Sequence, residues 1–152
     1  WELEDGDAIT PIPSFLPGYE GYGSATEEFP LYCSGFHYKS RTHSSFGFIE
    51  ELNQACRQQL WINPLDAESR GIAHGDMCAV TSPVGEIRIE AKVTPRIVPG
   101  TIGIPQGAWH QAAMDGDRVD TGGCVNTLTT YRPSPLAKGN GVHSIIAQVA
   151  KA

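Results

Sequence analysis

The alternation of apolar and polar positions is clearest over residues 77–81 and 86–93. There Ile87, Ile89, Ala91 and Val93 recur at every second position beyond the connection Ser82-Pro83-Val84-Gly85. A period of two places such side chains on one face of a strand, so this stretch predicts a β-hairpin. Short apolar runs over 29–35 and at Leu60-Trp61-Ile62-Asn63 predict two further strands, and residues 101–105 and 142–149 two more. In the last of these, Val142, Ser144 and Ile146 share one face and His143, Ile145 and Ala147 the other. Helical spacing is confined to two places. Phe48, Leu52 and Cys56, four residues apart, predict a short helix over 44–57. Asn63 as a cap with Pro64 in the first turn predicts a brief helix over 64–70 that stops at Gly71. Short strands separated by Gly/Pro turns, with only brief helices, favour a closed barrel over an open sheet.

Ahead of the barrel the pattern changes. Residues 1–28, with Pro11-Ile12-Pro13 and Pro17-Gly18-Tyr19-Glu20-Gly21-Tyr22-Gly23, break both periodicities. The expected organisation is an extended acidic Gly/Pro-rich arm over 1–28 and a barrel domain over 29–152. A solvated linker and an arm lying on a neighbouring surface through Phe15, Tyr19 and Tyr22 are both open. Seven of the 17 acids and none of the 11 bases lie in residues 1–38, so the formal net charge of -6 resides there and the remainder is nearly neutral. That remainder offers no basic patch of the kind nucleic acid requires. No apolar run approaches the ~18 residues that suggest a membrane span. The start Trp1-Glu2-Leu3-Glu4, without Met or a leader, is expected of a piece of a longer polypeptide or of a processed one. Cys33, Cys56, Cys78 and Cys124 form no C-x-x-C pair and are expected as buried thiols.

Four segments carry chemistry. His37-Tyr38-Lys39-Ser40-Arg41-Thr42-His43-Ser44-Ser45 concentrates two histidines, two cations and four Ser or Thr hydroxyls between a strand and a predicted helix. Arg41 supplies a planar fork, and hydroxyls and helix-start amides supply neutral donors, which together suit an anion; a polar surface loop is the alternative. His37 and His43 lack a third ligand at metal spacing. Gln106-Gly107-Ala108-Trp109-His110 follows a strand, with Trp109 expected to cap the barrel core and Gln106 left open. Thr121-Gly122-Gly123-Cys124-Val125-Asn126 begins with a glycine pair and presents Asn126, which can bond a heterocycle edge or cap a helix. Arg132-Pro133-Ser134-Pro135-Leu136-Ala137-Lys138-Gly139 is a stiff turn projecting two cations. Asp115 and Asp117 read as turn residues, and no activated nucleophile or acid/base pair stands out.

Taken together these segments resemble the molybdopterin-dinucleotide-binding domain of the dimethyl sulfoxide reductase family, especially its anaerobic A subunits. The resemblance rests on Pro30-Leu31-Tyr32 with the 37–44 loop, Trp61-Ile62-Asn63-Pro64, and Arg70-Gly71-Ile72-Ala73-His74-Gly75-Asp76. It continues through residues 91–100, Gln106-Gly107-Ala108-Trp109, Cys124-Val125-Asn126-Thr127-Leu128-Thr129 and residues 132–140. It implies a mainly β fold, a six-stranded double-psi β-barrel. It also implies that Gly35, His37, Arg41, His43 and Ser44 contact pterin or pyrophosphate of bis(molybdopterin guanine dinucleotide), that Asn126 bonds a pterin edge, and that Lys138 and Gly139 close over the cofactor.

By the same resemblance the molybdenum ligand and an iron–sulfur cluster belong to sequence upstream of this chain. The intact enzyme would reduce an S-oxide or N-oxide with electrons from a quinol. Its expected partners are the remaining domains of the catalytic chain, an iron–sulfur electron-transfer subunit and a membrane anchor, on the periplasmic side of the membrane. A free-standing binding module on the same barrel is the alternative, since a fold does not fix a function. Convergent donors from three distant segments would favour the pterin site, and an apolar patch with aromatic anchors would favour the module.

Overall fold

Alternating strands can bury one face only by closing on one another, and in the computed structural model they do. The structure describes residues 12, 20, 23–112, 114, 116–134, 137–141 and 143–152. Phe15, Tyr19, Tyr22, Asp115 and Val142 lie outside the described residues, as does most of the expected arm. In chain order come β1 (Leu31–Phe36), α1 (Glu50–Ala55), β2 (Leu60–Ile62), α2 (Pro64–Glu68), β3 (Met77–Ser82), β4 (Gly85–Val93) and β5 (Thr101–Pro105). A 3-10 turn (Val125–Leu128) and β6 (Ile145–Lys151) follow. The six strands among the described residues form a closed barrel in the order β1-β5-β2-β4-β3-β6.

The interior is filled from every strand: Leu31 and Cys33, Leu60 and Ile62, Cys78 and Val80, Ile87, Ile89 and Ala91, Ile102 and Ile104, and Ile145, Ala147 and Val149 are all buried. Burying an Ile or Leu side chain fully is worth roughly 1.5–3 kcal/mol, so this shared interior dominates the stabilisation of the wall. The predicted hairpin forms with Pro83-Val84 as its tip, where Ser82 Oγ accepts from the Val84 amide at 3.3 Å. Asn63 caps α2 as predicted, its Oδ1 accepting from the Leu65 amide at 3.0 Å, and Gly71 leaves the helix at a φ of +65°.

Strand direction decides where the loops go. β1 and β5 are parallel, with Gly35 opposite Ile104 and Phe36 opposite Pro105, so the loops after both strands leave from one end of the barrel. β2 runs antiparallel to β5, which sets the residues just before β2 at that same end. β6 runs antiparallel to β1 with Ile145 opposite Cys33, so the segment before β6 arrives there too. The amino-terminal half of β4 extends past β2 and carries the 120–128 segment through the Ile87–Asp120 bridge.

Two expectations are corrected. The helix expected over 44–57 is only α1, it buries no residue, and Phe48 precedes it at 73% exposure. The Ser44 carbonyl, which a helix would give to its own backbone, instead accepts from Trp109 Nε1 at 3.0 Å. His43 and Phe46 adopt positive φ, and residues 42–49 form turns closed by Ser45 N to Thr42 O and Ile49 N to Phe46 O. The last strand begins at Ile145 rather than 142, leaving His143 exposed ahead of it.

Candidate functional site

The 37–44 loop sits at the gathered end, and its close approach to the loop after β5 dictates the local sequence. A Cβ on Gly35 would fall 2.7 Å from Gln106 Nε2, and one on Gly107, whose φ is +87°, would overlap the His43 carbonyl. At Gly107 the obstacle is backbone and only glycine fits, whereas at Gly35 the Gln106 side chain would have to move. The His37 and His43 rings meet edge to face with centroids 4.7 Å apart. Gln106 Nε2 lies 3.2 Å from His143 Nε2, joining the segment before β6 to the same cluster.

Arg41 is turned inward more than the sequence suggests. Its Nε donates to Gln106 O at 2.9 Å, and its Nη2 donates to Gln58 Oε1 at 2.6 Å and Pro105 O at 3.3 Å. Burial lowers its pKa from the ordinary arginine value, and the nearby Tyr38 opposes that shift. Arg41 is thus a strut between loops before it is a ligand-binding fork, with Nη1 left over. The Gly122-Gly123 turn is shaped by Asp120. This buried carboxylate accepts from the amides of Gln111 and Gly122 through Oδ1 and of Cys124 through Oδ2, at 2.7–2.9 Å.

Gly35, His37, Arg41, His43 and Ser44 are therefore brought together. Asn126, Lys138 and Gly139 are exposed and touch none of those five through a hydrogen bond among the described residues, so the structure does not join them to that cluster. Asn126 starts the second residue of the 3-10 turn, where its carbonyl accepts from the Thr129 amide. Lys138, at a φ of +56°, sits in a loop braced by Asn140, whose Nδ2 donates to Thr130 O and whose Oδ1 accepts from the Arg132 amide. Trp109, expected in the core, is 54% exposed and holds the 42–47 turn instead. Gln58 and Asp120 were not singled out from sequence. An Asp two residues before a glycine pair is an Asx-turn signal and would have found Asp120.

Two cavities flank the loop. One of about 220 Å³ is lined by Arg41, Gly47, Asn53, Gln58, Gly107, Ala108, Trp109, Gln111, Thr121 and Gly122. The other, of about 550 Å³, lies on the outer wall against Phe36, Tyr38, Trp61, Lys39, Arg57, Lys92 and Arg96. Neither is lined by an acid, although the chain carries 17 acids against 11 Lys and Arg. Among the described residues no group of three His, Cys, Asp or Glu could hold a metal ion. A lining of donors with no acid in it suits an anionic, hydrogen-bonding ligand such as a pterin bearing phosphates, although Arg57 and Gln59 of the larger cavity are already bonded to Glu90.

Fold and lining define a class: a closed β-barrel domain with donor-rich cavities beside its gathered loops. The chain belongs to the family described as molydopterin dinucleotide binding domain, which matches residues 31–146. Over 152 residues it is 53% identical to the dimethyl sulfoxide reductase DmsA of Escherichia coli (strain K12), an alignment covering 99% of this chain and 18% of that protein. It is 49% identical to the DmsA of Haemophilus influenzae, covering 99% and 19%. It is 35% identical over 145 residues to the dimethyl sulfoxide/trimethylamine N-oxide reductase of Cereibacter sphaeroides, covering 91% and 18%. The chain thus spans less than a fifth of the length of these relatives. Among solved structures, acetylene hydratase from Pelobacter acetylenicus shares the fold, with a TM-score of 0.77 at 19% identity over 93% of this chain and 21% of that one.

Proposed function

We propose that this chain is the cofactor-holding domain of the catalytic polypeptide of a molybdenum S-oxide or N-oxide reductase, and that its gathered end binds the pterin and phosphate portions of bis(molybdopterin guanine dinucleotide). The observation that carries this reading is the cavity of about 220 Å³ between loops from separate strands, lined by donors such as Arg41, Asn53, Gln58, Trp109 and Gln111 and by no acid, in a chain whose net charge is -6. The family match and the reductase relatives support it. When bound, the cofactor supplies the oxygen-atom transfer and redox chemistry. In this reading His37, His43 and Ser44 present donors from the loop after β1, Asn126 offers an amide that both donates and accepts, and Lys138 adds a cation, with Gly139 and Gly35 admitting the ligand close to the backbone. The iron–sulfur cluster, the electron-transfer and membrane-anchor subunits and the periplasmic location belong to this same reading, as what the resemblance to the dimethyl sulfoxide reductase family implies.

Asn126 and Lys138 give the cleanest test, because no hydrogen bond or ion pair among the described residues depends on either side chain. In the complete polypeptide, Asn126→Ala and Lys138→Ala should each lower molybdenum and pterin content while leaving the thermal midpoint of the cofactor-free polypeptide unchanged. A charge-assisted bond is worth about 1.5–3 kcal/mol, so the loss should be tenfold or more for Lys138→Ala when cofactor is limiting, and smaller for Asn126→Ala, whose neutral bond is worth about 0.5–1.5 kcal/mol. Wild-type content in both variants would remove Asn126 and Lys138 from the binding face. One observation favours a second reading, in which the barrel is an interaction module: the outer wall carries Phe36 edge-on to Tyr38 and to Trp61 at centroid distances of 5.5 and 5.0 Å, rimmed by cations. Full cofactor content in both variants would move that reading ahead.

A further inference from the structure

We propose that Gln58 is a positioning residue for the cofactor end: it sets the Arg41 guanidinium and ties it to the Gly122-Gly123 turn, so that loops distant in sequence hold their binding arrangement before a ligand arrives. This rests on the reading that the gathered end holds pterin and phosphate. The topology puts Gln58 where it can do so. It lies two residues before β2, and the antiparallel register of β2 with β5, Trp61 opposite Gly103 and Ile62 opposite Ile102, brings the segment before β2 alongside Pro105. From there its side-chain amide makes three bonds. Oε1 accepts from Arg41 Nη2 at 2.6 Å, and Nε2 donates to the carbonyls of Pro105 and Gly123, each at 2.9 Å.

Both Nε2 hydrogens and one Oε1 lone pair are therefore committed, which a carboxylate or a hydrocarbon of the same length could not reproduce. The partners are built for the contact as well. At Gly123, whose φ is +72°, an added Cβ would press to 3.0 Å on Gln58 Cγ, so a glycine is what lets the turn reach the amide. With Nε on Gln106 O and Nη2 on Gln58 and Pro105, Arg41 keeps the Nη1 edge without a partner among the described residues, and Arg41 and Gln58 line the same cavity. A guanidinium fixed in advance loses less freedom on binding an anion, and that is how a residue with no ligand contact of its own strengthens binding.

The test uses the complete cofactor-bearing polypeptide with Gln58→Met, Arg41→Met and the double variant, reading molybdenum by mass spectrometry and pterin by fluorescence after extraction, beside thermal midpoints. Methionine keeps the length and volume of Gln58 and removes its donors and acceptor. Losing a hydrogen bond to a charged group predicts about a tenfold fall in both contents for Gln58→Met. Because the effect runs through Arg41, the double variant should stay within about twofold of Arg41→Met alone, whereas independent roles would multiply. Should Gln58→Met fail to fold, Gln58→Glu keeps the acceptor for Arg41 and loses both donors, and its content should fall between wild type and Arg41→Met. Wild-type content in the folded Gln58 variant while Arg41→Met loses cofactor, or multiplying losses in the double variant, overturns the role of Gln58. Unchanged content in Arg41→Met, Asn126→Ala and Lys138→Ala together overturns the binding reading itself.

Discussion

Asp120 is the residue on which the turn beside the site depends, and its role is visible in where it sits. It is 1% exposed, and three backbone amides point at its carboxylate. Asp120→Ala would leave the amides of Gln111, Gly122 and Cys124 without an acceptor, at about 1–3 kcal/mol for each that stays buried. The expected loss in urea unfolding is therefore at least about 3 kcal/mol, and a variant within about 1 kcal/mol of wild type would show that water replaces the carboxylate. The cysteines divide just as sharply. Burial pushes the Cys33 thiol up to about 12 and the Cys78 thiol up to about 11, chiefly by desolvating the thiolate. The thiolate is the reacting form, so both are inert at pH 8. Iodoacetamide on the native chain should label the half-buried Cys56 and Cys124 and spare Cys33 and Cys78, with all four labelled after denaturation. Peptide mapping that finds native-state label on Cys33 would contradict its place in the barrel interior.

At the scale of elements, the contact between the 42–47 turn and the loop after β5 is fixed by one glycine. Gly107→Ala would drive a Cβ into the His43 carbonyl, so the two loops must part and the Trp109 Nε1 bond to Ser44 O must break. Gly75→Ala is the matched control, since Gly75 has a comparable φ of +90° with open space around its Cβ position. Limited proteolysis should cut Gly107→Ala within residues 42–48 faster than Gly75→Ala, and equal rates would mean that the turn holds without the loop. This contact also explains what the sequence could and could not reveal. The hairpin of β3 and β4 was legible because its period-two patterning is local and each of those strands buries alternate positions, and β5 because a short apolar run, buried at four consecutive positions, lies between turn residues. The helix over 44–57 was misread because the Ser44 carbonyl is taken by an indole 65 residues away, which no local window contains. Trp109 was misplaced in the core for the same reason. Gln58 carried no signal, since its partners at Arg41, Pro105 and Gly123 lie 17, 47 and 65 residues away and only the barrel closure assembles them. The 37–44 loop was legible as a donor cluster, although Arg41 is spent largely on the protein itself.

Across the whole molecule, closure of the barrel carries an acid sensitivity that can be derived from two carboxylates. Asp76 Oδ2 accepts from the Ala73 amide at 2.8 Å and pairs with Lys151 Nζ at 2.9 Å, joining the start of β3 to the end of β6 at the seam between those strands. Asp117 Oδ1 accepts from the Val119 amide at 3.1 Å, and its Oδ2 meets Arg88 of β4 at 2.5 Å. Both carboxyls are held below the ordinary aspartate value, Asp76 first by its backbone amide and then by Lys151, Asp117 first by the Val119 amide with Arg88 adding to it. A carboxyl with a lower pKa folded than unfolded contributes stability that is complete above its unfolded value and is lost as pH falls through the folded one. That window opens at about pH 4 and runs downward. The thermal midpoint of the wild-type chain should therefore drop below about pH 4, while Asp76→Asn and Asp117→Asn start lower at pH 7, fall less steeply, and converge with wild type in strong acid. Because a backbone amide is the leading cause in each case, added salt should weaken the difference without erasing it, since screening acts on the ion pair and leaves the short amide bond in place. Curves that stay parallel from pH 7 to pH 2 would show that neither carboxylate carries the acid response, and complete loss of the difference in salt would assign it to the ion pairs alone.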